Sequence, residues 1–228
     1  METRGVGALV DRNVHRWELE EAIRNRIGGR HRTAPPVAVS REYGSQGAAV
    51  ANLVAGRLDR SLWDKELLHA VAEQSGAEEA LLAAVDERTR SALRDLIEAS
   101  ILGDEYTESE FLRHLRRVVR LVARLGAVIV GRGAQYLLDG DALRVRVVAP
   151  LEIRVARVVE SQGLDEKHAT SKVQRIDQER ARFVAHHFGR DVAAPADYDL
   201  VVNTGTLTID RAADVIVAAY RAKFGEML

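Results

Sequence analysis

Residues 37–50 read Val-Ala-Val-Ser-Arg-Glu-Tyr-Gly-Ser-Gln-Gly-Ala-Ala-Val. The three apolar residues Val37, Ala38 and Val39 predict a short strand, and Val50, Leu53, Val54 and Leu58 behind them keep helical spacing. Strand, small-residue turn and helix together form the opening unit of a parallel α/β sheet. Glycine permits backbone angles that other residues avoid, and amides at a helix start can converge on an anion. Taken alone, the turn at Gly44 to Gly47 is equally well a mere tight connection, because glycine marks turns of every kind.

The same alternation recurs outward from this unit. Ser61-Leu-Trp63 is extended, and helical spacing begins near Lys65 with Leu67, Leu68 and Val71. Residues 77–102 read as nearly continuous helix, and Thr107-Glu-Ser-Glu110 is a candidate capping box. Behind it, Leu112, Leu115, Val118, Val119 and Val122 share one helical face. Arg113, Arg116, Arg117, Arg120 and Arg124 follow another, either a solvated face or a phosphate-binding one. Ala127-Val-Ile-Val130 is a buried parallel-strand run stopped by Gly131-Arg132-Gly133. Leu143, Val145 and Val147 alternate as a strand, and Pro150 opens a helix through Val155 and Val158. Asp165 caps a helix carrying Arg175, Asp177 and Arg180; Leu200-Val-Val202 is the last strand, and residues 209–220 form the closing helix. The expectation is an α/β fold with a parallel sheet covered on both faces.

Composition narrows the classes further. The chain has 228 residues, 46% apolar and 29% charged, with 33 Lys+Arg against 34 Asp+Glu, hence a net charge of −1. Neither a disordered chain nor a collagen-like one fits, and near-neutrality argues against a duplex nucleic-acid coat, so any anion site is local. There is no cysteine, so disulfides, thiolate nucleophiles and Cys-based zinc sites are excluded. Apolar runs fall short of a membrane span, and no signal core follows Met1, so the expected location is cytoplasmic. Residues 1–35 read as an N-terminal helical extension and linker, a candidate for self-association or a surface helix.

In a parallel sheet the ligand crevice lies beyond the carboxyl ends of the strands. Three loops therefore stand out. The first is the turn with Arg41, Gly44, Ser45, Gln46, Gly47 and Ala48. The second carries Asp64, a helix N-cap or a site acid. The third carries Arg132 between two glycines, where a planar cation suits phosphate oxygens. His186-His187 fits a helix end better than a zinc pair, since adjacent helical residues diverge.

Five ordered blocks carry a resemblance: Val39-Ser-Arg-Glu-Tyr-Gly-Ser-Gln-Gly47, Leu62-Trp-Asp-Lys-Glu-Leu-Leu68, Ile129-Val-Gly-Arg-Gly-Ala134, Leu143-Arg-Val-Arg-Val-Val-Ala-Pro-Leu-Glu152 and Asp197-Tyr-Asp-Leu-Val-Val-Asn-Thr204. From Pro36 to about Ala222 the chain resembles the cytidylate-kinase-like family, a branch of the P-loop nucleoside monophosphate kinases. The resemblance implies a three-layer fold with a five-stranded parallel sheet, a helical monophosphate-binding insert over about 66–125 and a lid over about 163–190. It implies transfer of a phosphoryl group from ATP, with Mg²⁺ held mainly by ATP phosphates, to a monophosphate such as CMP. An inactive nucleotide-binding or regulatory module is the alternative. By position, Gly44, Ser45, Gln46, Gly47 and Ala48 would bind phosphate, Asp64 and Arg132 would hold the acceptor, and Arg41, Arg175 and Arg180 would be catalytic. Asp177 and Arg180, three apart on one helix, also suit a surface ion pair.

The chain departs from the standard G-x-x-x-x-G-K-[ST] loop: Gly47 stands at the lysine position and Ala49 at the hydroxyl position. Val130 stands where related kinases carry an Asp that organises Mg²⁺, so no protein metal ligand is expected. Arg41 and the lid arginines are the expected compensation for the missing cation.

Overall fold

The computed structural model describes residues 34–64, 116, 118–120, 122–131, 133–138 and 140–225. Nearly all of the expected N-terminal extension, most of the expected helical insert and Arg132 lie outside the described residues. The elements are β1 (Val37–Arg41), α1 (Gly47–Leu58), β2 (Leu62–Trp63), β3 (Val128–Val130), α2 (Ala134–Leu137), β4 (Leu143–Val148), α3 (Leu151–Gln162), α4 (Glu166–Phe188), a 3₁₀ turn (Pro195–Asp197), β5 (Leu200–Asn203) and α5 (Ile209–Phe224).

The five strands form one sheet in the order β2-β3-β1-β4-β5, and every pairing is parallel. β1 is thus central, as a nearly unbroken apolar strand should be. It runs two residues past Val39, because Ser40 and Arg41 pair with Arg146 and Val147 of β4.

Alternation along the strands divides the core. Val37, Val39, Val128, Val130, Val145, Val147 and Val202 face α1 and α5, where they pack on Val50, Val54, Ile216 and Tyr220. Ala38, Ile129 and Trp63, in register across three strands, are buried on the opposite face. α3 and α4 join through a separate cluster of Val155, Val158, Ala169 and Val173, and Tyr43 packs against it.

Helix ends follow local chemistry. The Asp165 carboxylate accepts the His168 N–H at 2.9 Å to start α4, and Thr208 accepts the Arg211 N–H at 3.3 Å to start α5. Gly163 and Gly189 close α3 and α4 in left-handed conformation. Among the described residues, no helix is long and apolar enough to cross a membrane.

Candidate functional site

All five strands end at one edge of the sheet, and the loop after β1 occupies its centre. Gly44 has φ +79° and Gln46 φ 59°, so the chain turns twice through left-handed geometry before α1 begins. A Cβ at Gly44 would stand 2.8 Å from the Arg154 carbonyl oxygen, and only glycine fits that approach.

Four successive loop carbonyls are held by side-chain donors. Ser45 Oγ donates to the Glu42 carbonyl at 2.9 Å, and Arg154 Nη1 donates to that of Tyr43 at 3.2 Å. Arg157 Nη1 reaches the Gly44 carbonyl at 3.4 Å, and Thr204 Oγ1 donates to that of Ser45 at 2.7 Å. In a trans peptide the following N–H points the opposite way from the carbonyl. Fixing the carbonyls therefore fixes the amides of the turn on the other side. The α1 start has neither a side-chain cap nor an acid in its first turn, so its leading N–H groups and positive dipole end are left for an anion.

Gly47 explains itself sterically. A Cβ there would lie 2.5 Å from Arg41 Cβ, 3.1 Å from Arg41 Cγ and 3.3 Å from Val147 Cβ. The stem of Arg41 thus runs across the place that a side chain at position 47 would need.

Glu42 anchors the loop to the sheet. Its carboxylate accepts the Ala149 N–H at 3.1 Å and stands 3.4 Å from Arg154 Nε and 3.7 Å from Arg146 Nη2. Both arginine side chains are only 10% exposed, so this carboxylate offsets buried positive charge. Arg146 also donates to Ser40 Oγ at 3.4 Å and lies over the Tyr198 ring, 5.8 Å from its centroid.

From α4, Asp177 accepts the Tyr43 N–H at 2.8 Å on Oδ1 and pairs through Oδ2 with Arg154. Arg180 donates to the Arg41 carbonyl at 3.0 Å, and its guanidinium lies 5.7 Å from the Tyr43 ring centroid. The Asp177–Arg180 separation is 3.7 Å, but the pair faces the loop rather than solvent. A cavity of about 50 Å³ remains between the strand ends and α4, lined by Ser40, Arg41, Glu42, Gly131, Asp177 and Arg180 among others.

Arg41, Arg180 and the loop around Gly44 therefore meet at one place, with Gly131 of the third loop beside them. Asp64 follows β2 at the same edge of the sheet, next to Trp63 in its register with Ile129. Arg132 lies outside the described residues. Arg175 stands elsewhere: it is 62% exposed and paired with Glu179 at 2.6 Å, two residues before Asp177 and so on the other side of the helix. His186 and His187 sit in the last turn of α4. Among the described residues no cluster of three or more His, Asp or Glu could hold a metal, and the carboxylates lining the cavity, Glu42 and Asp177, are both tied to arginines. These residues do not by themselves make a Mg²⁺ site.

Sequence reading missed Glu42, Arg146, Arg154, Arg157, Asp177 as a loop contact and Thr204. For two of them a signal existed. Arg154 falls in the stripe Leu151, Arg154, Val155, Val158, and Asp177 and Arg180 continue the stripe Ala169, Val173, Val184. A charge on the apolar stripe of a helix must be paired inside.

Residues 36–206 match the model of the cytidylate kinase-like family. This chain belongs to that family. Over 101 residues it is 31% identical to the uronate isomerase of Corynebacterium glutamicum, a stretch covering 43% of this chain and 20% of that protein. Over 104 residues it is 24% identical to the cytidylate kinase of Pyrococcus horikoshii, covering 46% of this chain and 54% of the relative. The chain thus spans about half or less of the length of these curated relatives. A crystal structure of an uncharacterized protein from Eubacterium ventriosum superposes with a TM-score of 0.58 at 22% identity, over 82% of this chain and 99% of that one. That likeness extends the shared fold beyond the sequence matches.

Proposed function

We propose that this member of the cytidylate kinase-like family moves a phosphoryl group from ATP to a nucleoside monophosphate such as CMP. The observation that carries the reading is the loop of residues 42–45, whose four carbonyls are turned away by Ser45, Arg154, Arg157 and Thr204. The amides of Gly44 and of residues 46–49 then hold the donor phosphates as a ready-made nest, the Ser45 N–H being turned to the Glu42 carbonyl. Arg41, lying over Gly47, supplies from the strand end the cation that a lysine supplies in the standard loop.

In this reading an oxygen of the acceptor monophosphate bonds to the γ-phosphorus of ATP, the bond from that phosphorus to the β,γ-bridging oxygen breaks, and ADP leaves with the electron pair. The chemistry asks for position and for positive charge around the transferring group, not for a strong base. Arg41 and Arg180 stabilise that charge, while Asp64 and Arg132 place the acceptor. Arg175, expected beside them from the resemblance, pairs with Glu179 on the exposed side of α4. Mg²⁺ brought with ATP would be held mainly by the phosphate oxygens and would neutralise part of their charge.

A coupled ADP-release screen over nucleoside monophosphates tests the proposal. ADP production that depends on one acceptor and falls sharply in Arg41→Gln is the expected result. Measurable ATP binding with no ADP above the no-enzyme background for any acceptor would instead identify a nucleotide-binding module.

A further inference from the structure

Tyr43 is held by α3 and α4 to an extent that a phosphate-binding loop awaiting its ligand does not require. Its N–H donates to Asp177, its carbonyl accepts from Arg154, its ring faces Arg180 and its hydroxyl accepts from Gln162 Nε2 at 2.8 Å. One of these contacts differs in kind from the rest. Asp177 brings a carboxylate, an anion, to a backbone N–H of the very loop whose amides suit phosphate, and it also satisfies Arg154, which is nearly buried there.

The cavity beside it offers about 50 Å³, room for one or two waters and not for a triphosphate. Its lining carries three cations, Arg41, Arg146 and Arg180, against two anions, Glu42 and Asp177. Glu42 belongs to the sheet side, bound to the Ala149 N–H. Asp177 belongs to α4, so it is the anion that leaves if the helix shifts.

We propose that Asp177 is a tethered anion that occupies the loop in the empty protein and competes with the phosphates of an incoming nucleotide. The inference rests on the nucleotide-binding reading above. Phosphates on the neighbouring amides then drive the like-charged carboxylate off the Tyr43 amide, and Arg180, freed from Asp177 and from the Arg41 carbonyl, turns to the bound phosphates while Arg154 stays on the Tyr43 carbonyl. Affinity is thereby lowered by a like charge built into the site, and the loop keeps its shape without ligand.

Calorimetric titration with inorganic tripolyphosphate tests this without base recognition. Asp177→Asn keeps an acceptor for the Tyr43 N–H and deletes the charge; it should bind tripolyphosphate about tenfold tighter than wild type. Asp177→Glu, which keeps the charge, should bind like wild type. A purely structural aspartate predicts a lower melting temperature for Asp177→Asn without tighter binding. Equal or weaker binding by folded Asp177→Asn, with wild type binding normally, overturns the tethered anion and leaves the nucleotide reading standing. No binding by either protein overturns both. If Asp177→Asn does not fold, a crystal structure of the wild type with tripolyphosphate decides: a carboxylate displaced from the Tyr43 N–H supports the proposal, and one still in place overturns it.

Discussion

Replacing Gly47 with alanine puts a methyl group where Arg41 already stands. The new Cβ would lie 2.5 Å from Arg41 Cβ, 3.1 Å from Arg41 Cγ and 3.3 Å from Val147 Cβ. Carbon contacts settle near 3.5 to 4.0 Å, so the first overlap is about 1 Å. Arg41 Cβ is not a flexible end: Arg41 pairs with Val147 in the sheet, so backbone must yield. Overpacking of this kind costs about 1 to 3 kcal/mol, whereas alanine gains about 1 kcal/mol over glycine in a helix. The net expectation for Gly47→Ala is a loss of about 0 to 2 kcal/mol. In an Arg41→Gly background the overlap with Cβ and Cγ is gone, and the same substitution becomes neutral or mildly stabilising. Urea denaturation of wild type, both single variants and the double variant gives the coupling, expected at about 1 to 3 kcal/mol. Additivity within about 0.5 kcal/mol would refute the claim that Arg41 fills the place of a side chain at 47.

Three other outcomes follow from the same contacts. Glu42→Gln leaves Arg146 and Arg154 without their shared countercharge and should lower stability by about 2 to 3 kcal/mol in urea denaturation, more than substitution of an exposed acid such as Glu179. Gly44→Ala combines a left-handed φ of +79° with a 2.8 Å approach to the Arg154 carbonyl; it should cost about 2 to 4 kcal/mol, and tripolyphosphate affinity should fall with it. Burial, then Tyr198 and the bond to Asp197, holds the Tyr136 hydroxyl protonated well above the ordinary 10.0, and burial also raises Tyr220 against the opposing pull of Arg60. A group that ionises more readily when unfolded stabilises the fold below its unfolded pKa and ceases to do so above it. Melting temperature should therefore fall as pH rises past 10.0, and less steeply in Tyr136→Phe; parallel profiles for the two proteins would contradict the assignment.

The strands were legible because their periods are simple. Val37 to Val39, Val128 to Val130 and Leu143 to Val147 are short β-branched or apolar runs bounded by turn residues, and each is a strand of the sheet. The resemblance implied five parallel strands but not their order, since nothing in β1 itself selects β3 and β4 as its neighbours. The glycines of the loop were visible and their purpose was not. Gly44 is demanded by Arg154, and Gly47 by the Arg41 stem, and side-chain approach leaves no trace in spacing. Glu42 and Ala149 are 107 residues apart, Tyr43 and Asp177 are 134 apart, and Ser45 and Thr204 are 159 apart. Local pattern reading has no access to such pairs. What it did offer was the charge set into an apolar helical stripe at Arg154, Asp177 and Arg180, and those are the residues that grip the loop.

ATP affinity of wild type against Arg41→Gln, measured by calorimetry with Mg²⁺ present, tests the central claim most directly, that Arg41 stands in for the cation absent at Gly47. A charge-assisted contact to phosphate predicts binding by wild type and a loss of about tenfold or more in the variant. Equal affinities, or no heat from either protein, would contradict it.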